Sequence, residues 1–380
     1  MAVTGIICEY NPLHLGHQKQ LRSAKNSPDD GIVCLMSGNY VQRGKPAIID
    51  KSLRAKAAVL SGADLVLELP ITASLSSAEG FAAEGVRILS PFCSSLSFGA
   101  ETANKDMLIK LANALLSPAF SQALKEQLNN GLSFPAARQA ALEALGYDAS
   151  VLTLPNNILA VEYCKAILLQ DSAMQPAPIF RAGDYHAEQA DRENPSATAV
   201  RQLMIDGGDW LPYIPQDARL CFEGAPLHAL EQGEGAVLSR LRTMSDTEFE
   251  SLPYGSEGLW RKLMHACRKE NTLEAILSTA KSKRYTRSRL DRMVMCAFLG
   301  ITREMLDSSA PYVRVLAFND KGREILNTAR KTGNFVNAGE TQDSAYQELE
   351  NRCGALYGLF SLSGAEPPDA EQNRRVYYHR

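Results

Sequence analysis

The chain has 380 residues, 45% of them hydrophobic and 22% charged, with a formal net charge of -3. This length accommodates two domains with sizeable cores, and the mildly acidic balance excludes wholesale coating of nucleic acid, so any such contact must come from a local patch. No run reaches the roughly 20 apolar residues of a membrane span, no basic and then apolar leader opens the sequence, and eight cysteines without a C-x-x-C pair read as reduced thiols rather than a zinc ribbon or disulfide framework; the expected location is the cytoplasm.

In chain order, residues 5–10 read as a buried strand, 17–25 as a helix, 31–37 as a strand and 50–61 as a helix. Residues 64–69 form a third strand closed by Pro70, 77–89 a helix, and 94–98 a fourth strand ending at Gly99. Continuous apolar strands alternating with helices predict an α/β fold, a Rossmann-like parallel sheet with helices on both faces. Ligands of such sheets bind outside the carboxyl ends of the strands, which puts residues 11–17, 37–45 and 99–101 on one rim. Residues 104–169 read as mostly helical, a last short strand falls around Ile179-Phe180-Arg181, and a helix begins near Ser196. Past Gly207-Gly208 helical patterns prevail, and Pro212, Pro215 and Pro226 punctuate the change. A nucleotide-binding domain over 1–210 and a mainly helical C-terminal domain over 211–380 are therefore expected. From Pro367-Pro368 onward the chain reads as a loosely held tail.

The chemistry-bearing stretch follows the first strand: Ile7-Cys8-Glu9-Tyr10-Asn11-Pro12-Leu13-His14-Leu15-Gly16-His17-Gln18-Lys19-Gln20. A metal reading of His14 and His17 lacks a third ligand at suitable spacing. A nucleophile reading fails too, because Cys8 lies inside the strand and no serine stands in a recognised elbow. Two loop histidines at a helix start are the plain alternative. A phosphate site explains more: Gly16 admits close backbone approach, the helix aims unpaired N–H groups and its positive dipole end at an anion, and histidines donate to phosphoryl oxygens. The chain contains neither a P-loop nor a G-x-G-x-x-G after the first strand, so no other phosphate motif competes.

A strand followed by His-x-Gly-His resembles the nucleotidyltransferase superfamily, whose members bind ATP and expel pyrophosphate. The superfamily's second phosphate motif, S-[ST]-x-[IV]-R, is similar to Ser196-Ala197-Thr198-Ala199-Val200-Arg201 here. Hydroxyls, helix N–H groups and an arginine would gather there at the β- and γ-phosphates; the plain reading is a serine N-cap with a surface arginine. Within the superfamily, Glu9-Tyr10-Asn11-Pro12, Ser37-Gly38-Asn39-Tyr40-Val41-Gln42-Arg43-Gly44-Lys45-Pro46, the block over 62–70, Leu154-Pro155-Asn156-Asn157, Tyr185-His186 and Lys283-Arg284-Tyr285-Thr286-Arg287 resemble the bacterial tRNA(Met) cytidine acetate ligases. That resemblance implies activation of acetate by ATP, then acetyl transfer to N(4) of the wobble cytidine of elongator tRNA(Met), with magnesium on the phosphates. It implies that residues 7–20 form the ATP loop with His14 and His17 catalytic, that Gly99, Asn156 or Asn157, and Arg181 contact nucleotide, and that Ser196, Thr198 and Arg201 hold the departing pyrophosphate. Gln20 stands where the family often has a third histidine, and Ala197 where the superfamily motif has a hydroxyl.

The run over 281–292 carries six basic residues against one acid. Lys281, Lys283, Arg284, Arg287 and Arg289 suit an RNA backbone, and Tyr285 suits stacking on an unpaired base; a solvated helix face is the plain reading. Residues 37–45 are expected to close over the adenylate or guide the base, or else to be a solvated loop, and His186 to lie near the site, at the surface or in the core. Two rival functions remain open: an adenylyltransferase acting on a small phosphorylated acceptor, and an RNA-binding protein with a decayed nucleotide site.

Overall fold

The computed structural model describes residues 2–181, 195–282, 285–342 and 344–380. Among these there are ten strands: β1 Val3–Cys8, β2 Gly31–Ser37, β3 Tyr40–Val41, β4 Lys45–Pro46, β5 Leu65–Leu69, β6 Ser95–Ala100, β7 Gln175–Phe180, β8 Val313–Asn319, β9 Phe335–Asn337 and β10 Tyr377–His379. One sheet runs in the order β10-β8-β5-β2-β1-β6-β7, with β9 also paired to β8, while β3 and β4 make a separate hairpin. From β5 to β7 every pairing is parallel. Strands β1, β2 and β5 are almost wholly buried, as their apolar runs require when helices cover both faces. Pro176 and Pro178 cannot donate to a ladder, and they lie in β7, at the edge of the sheet.

Strand order reverses at β1: β2 and β5 follow on one side, β6 and β7 on the other. β1 pairs with β2 from Val3 through Cys8, but with β6 only at Thr4 and Gly5. The two strands therefore part toward their carboxyl ends, where parallel α/β sheets bind ligands. Helix α1, Leu15–Ser23, starts above this opening.

Alternate side chains of the strands feed two cores. One holds Ile7, Leu35, Leu67 and Leu96 beneath the helices Ala78–Leu89, Lys105–Leu116 and Pro155–Leu169. The other holds Ile6, Cys34 and Val66 beneath α1, helix α2 (Lys51–Leu60) and the helix Ala197–Ile205. A third core, among helices between 234 and 360, takes in Tyr40, Ile71 and Leu75 from the first half. Tyr40 donates to the Cys353 carbonyl at 3.0 Å and Tyr357 to the Ala47 carbonyl at 2.8 Å, tying the halves together. Among the described residues no helix is long and apolar enough to cross a membrane.

Two expectations need correction. Helices do follow residue 211, but β8, β9 and β10 return to the sheet, with β8 antiparallel to β5. The sheet thus draws on both sides of the expected boundary. The tail is also fixed rather than loose: Glu371 and Arg374 are buried, and β10 pairs with β8.

Candidate active site

Leaving β1, the chain turns at Tyr10, whose positive φ of 45° persists only where the surroundings hold it. A cis Asn11–Pro12 bond follows. The Tyr10 ring is buried, with its hydroxyl 3.4 Å from Cys34 Sγ, and the Asn11 side chain accepts from Ile48 N–H at 2.8 Å. Leu13 is fully buried. The loop thereby delivers His14 to the N-cap of α1.

His14 Nδ1 accepts from Gly16 N–H at 3.1 Å, and His17 Nδ1 accepts from His14 N–H at 3.3 Å. This is a capping box built from two histidines. Nitrogens that accept carry no proton, so both rings are Nε2–H tautomers. The rings stack with centroids 3.7 Å apart, and Tyr10 lies 5.0 Å from His17. Burial, then the Arg181 and Arg201 guanidinium groups, lowers His14 to about 3. Burial, then His14 and Arg181, holds His17 well below the usual histidine range. Both are therefore neutral donors at neutral pH. His14 Nε2 is buried with no hydrogen-bond partner among the described residues, and an orphaned buried donor beside a helix N-terminus suits an anion. Gly16 also gives the His14 ring room within the chain: a Cβ there would lie a tight 3.0 Å from His14 Cε1.

The second motif reaches the first. Ser196 caps the helix Ala197–Ile205, accepting from Ala199 N–H at 3.0 Å. Arg201 donates to the Asn11 carbonyl at 2.6 Å and to Thr198 Oγ1 at 3.0 Å. Two helix starts, far apart in sequence, are thus joined through one guanidinium. Arg181 follows β7, and its side chain lies over Gly99, where a Cβ would stand 3.6 Å from Arg181 Cδ. Of the remaining loop residues, Leu15, Gln18 and Lys19 lie on α1, and Gln20 donates weakly, at 3.4 Å, to the Ser97 carbonyl of β6. Gln20 therefore tethers α1 to the far side of the opening.

Several expected contacts turn out to be internal. Asn157 is fully buried, with Oδ1 accepting from Thr102 N–H and Nδ2 donating to Thr102 Oγ1. Asn156 is half-buried and donates to Glu101 Oε1 at 2.7 Å. The Glu101 carboxylate caps the helix Pro155–Leu169 and holds the turn after β6. That helix start thus has no capping side chain of its own and is capped by Glu101 from outside it. Residues 38–46 form a fixed hairpin with Tyr40 and Val41 buried, its Gln42 N–H bonded to Glu9 Oε1 at 3.0 Å.

In the basic run, Tyr285 is buried, with its hydroxyl on the Glu257 carbonyl at 2.5 Å, so it is closed to a stacking base. Arg287 is forked onto Glu274 and bonded to Asp291, and Arg289 holds the Tyr254 carbonyl and Ser256. Lys281 is exposed. Lys283, Arg284, Tyr185 and His186 lie outside the described residues.

One residue that carries the site gave no signal in the sequence. Arg54 of α2 is fully buried and donates to the carbonyls of Ile49 (2.8 Å), Glu9 (2.5 Å), Ser37 (3.2 Å) and Gly38. It fastens the carboxyl ends of β1 and β2 together.

The HIGH Nucleotidyl Transferase family profile matches residues 1–369. A tRNA(Met) cytidine acetate ligase of Clostridium perfringens (strain ATCC 13124) is 37% identical, aligned over 96% of each chain, and one from Alkaliphilus metalliredigens is 36% identical over 100% of this chain and 99% of its own. The chain belongs to the tRNA(Met) cytidine acetate ligase family. The crystal structure of apo Thermotoga maritima TmcAL matches over the whole of both chains, with a TM-score of 0.91 at 29% identity, and the form bound with alpha-thio ATP matches at 0.88. The α/β fold is thus shared over the whole length of both chains.

Proposed function

We propose that this ligase activates acetate with ATP at the α1 opening and then acetylates N(4) of the wobble cytidine of elongator tRNA(Met). The observation that carries the reading is the neutral, stacked His14–His17 pair, with its buried uncommitted Nε2 donor and its link through Asn11 to Arg201. An acetate oxygen attacks the α-phosphorus, the bond from that phosphorus to the bridging oxygen breaks, and pyrophosphate leaves. His14 and His17 donate to the oxygens on which charge grows, and neutral donors held by burial need no rearrangement to do so. Ser196, Thr198 and Arg201 receive the pyrophosphate. Arg181, above Gly99, neutralises charge at the same phosphates. The cytidine amine then attacks the acetyl carbonyl carbon, the bond to AMP oxygen breaks, and the amine loses a proton. An unpaired anticodon base can be presented in this way. Among the described residues no group of three or more His, Cys, Asp or Glu has the geometry to hold a metal; magnesium accordingly enters on the phosphates as part of the substrate. A tRNA substrate fits a cytoplasmic setting.

ATP–pyrophosphate exchange with acetate, with and without unmodified tRNA(Met), tests the reading. Acetate-dependent exchange followed by acetylation of the tRNA is expected. Exchange only with a phosphorylated nucleoside or pantetheine would establish the adenylyltransferase instead, and tRNA binding without any exchange would establish a decayed site.

A further inference from the structure

The described basic residues of the 281–292 run are largely spent inside the protein, but the surface beside them is strongly cationic. The helix Leu259–Lys269 buries Leu259, Leu263, Met264, Ala266 and Cys267 and turns Arg261, Lys262, His265, Arg268 and Lys269 outward. It contains no Asp or Glu. Arg268 bonds to Asp246, whereas no salt bridge among the described residues involves Arg261, Lys262 or Lys269. Two of these cations, Arg261 and Lys262, are badly placed for the helix itself. Arg261 and Lys262 stand in the first turn, at the positive end of the dipole, behind a Gly258 N-cap that offers no side-chain acceptor. Arg268 and Lys269, two turns on, continue the same exposed face. In a chain of net charge -3, such a stripe matches an external polyanion better than any internal need.

The stripe is connected to the adenylation site by packed residues. Lys262 Nζ stands 5.6 Å from the Tyr285 ring centroid, and Arg289 lies 5.4 Å from the same centroid. Arg289 donates to the Tyr254 carbonyl at 3.0 Å, and Arg292 lies 5.1 Å over the Tyr254 ring. The backbone of Asp291 and Arg292 presses on Gly44, which has φ +70° and whose Cβ would come within 2.6 Å of Arg292 N. Gly44 belongs to the β3–β4 hairpin, whose Gln42 is bonded to Glu9, five residues before His14. Arg43 and Lys45 are exposed on that hairpin.

We propose that the stripe of Arg261, Lys262, Arg268 and Lys269 grips the phosphodiester backbone of the RNA substrate, and that the hairpin is the edge over which its unpaired loop reaches the α1 opening. The proposal rests on the tRNA reading above. Eight residues of helix carry the stripe about 12 Å, enough to reach more than one phosphate. The test reverses charge at Lys262→Glu and Lys269→Glu together in the full chain, with Lys110→Glu and Lys125→Glu, on helices Lys105–Leu116 and Pro118–Asn129, as the control pair. Acetate-dependent ATP–pyrophosphate exchange, which needs no RNA, stays unchanged and certifies folding. The KM for tRNA rises about tenfold or more, and the slope of log affinity against log salt falls by about 1–2, at roughly 0.7–0.9 for each phosphate no longer neutralised. An unaltered tRNA KM and salt slope, or an equal effect from the control pair, overturns the proposal. Wild-type tRNA binding without exchange would overturn the functional reading instead, and the stripe would still be judged by its own binding data.

Discussion

At the start of α1 the His14 imidazole is committed at one nitrogen and open at the other, and the two ends can be separated by mutation. Asparagine is among the best N-caps, so His14→Asn keeps an acceptor for Gly16 N–H while removing the Nε2 donor. Exchange should fall by about 10²–10³, with the melting temperature shifted by only a few degrees; exchange within threefold of wild type would leave His14 as a cap alone. The same pair reports the titration. The folded pKa of His14 lies at about 3, below its unfolded value, so its stabilisation is complete above about pH 6.5. It is then lost as pH falls from there toward 3, by about 1.4 kcal/mol per pH unit. Urea midpoints at pH 7.5 and pH 5 should therefore diverge more for wild type than for His14→Asn, and equal divergence would count against a neutral, buried imidazole.

On the scale of elements, Arg54 makes a clamp of α2. Its guanidinium serves four carbonyls at the ends of β1 and β2 and in the loop before α2. Arg54→Met would strip these buried acceptors of a charged donor, at a cost of about 3–5 kcal/mol. Arg54→Lys should recover only part of it, because an ammonium lacks the planar fork. Both should raise the KM for ATP, since Glu9 leads into the histidine loop; a stable Arg54→Met enzyme with unchanged KM would show that the loop holds itself. Nothing in Lys51-Ser52-Leu53-Arg54 sets this residue apart from an ordinary helical arginine, because its partners are carbonyls, which leave no trace in sequence. The parallel strands were legible for the opposite reason: burial on both faces forces continuous apolar runs. β8 escaped notice because Arg314 interrupts its run, and only the fold supplies Glu350 and Tyr312 to satisfy that charge. Tyr285 misled in the same way: an aromatic among cations reads as an RNA contact until its burial is known.

Across the whole molecule, the C-terminal tail meets the start of α2 and strand β5 in a buried ionic cluster that no local pattern announces. Arg374 holds Asp50 at 2.6 and 2.7 Å, Ser52 at 2.7 Å and Glu371 at 2.8 Å. Lys51 bonds both Glu68 and Glu371 at 2.7 Å. Burial raises Glu68, with Lys51 only partly offsetting it, to about 7. Glu371 is likewise raised by burial, but two cations, Lys51 and Arg374, bring it below the usual range. Asn39 is pinned by the same cluster, accepting from Lys51 N–H and donating to Asp50, so the tail braces the hairpin that borders the active rim. Deleting residues 367–380 would remove Glu371 and Arg374, halve the partners of Lys51 and uncover the β8 edge. Stability should drop by about 3–5 kcal/mol, the usual cost of leaving a buried charge without its partner, seen as a lower urea midpoint. Arg374→Met alone should reproduce much of that loss, because Asp50 stays buried while β10 is kept. Acetate-dependent exchange, assayed well below the new midpoint, should show a higher KM for ATP as the hairpin loosens. A truncated chain with the parental midpoint and KM would mean that the tail is the loose appendage its prolines suggest.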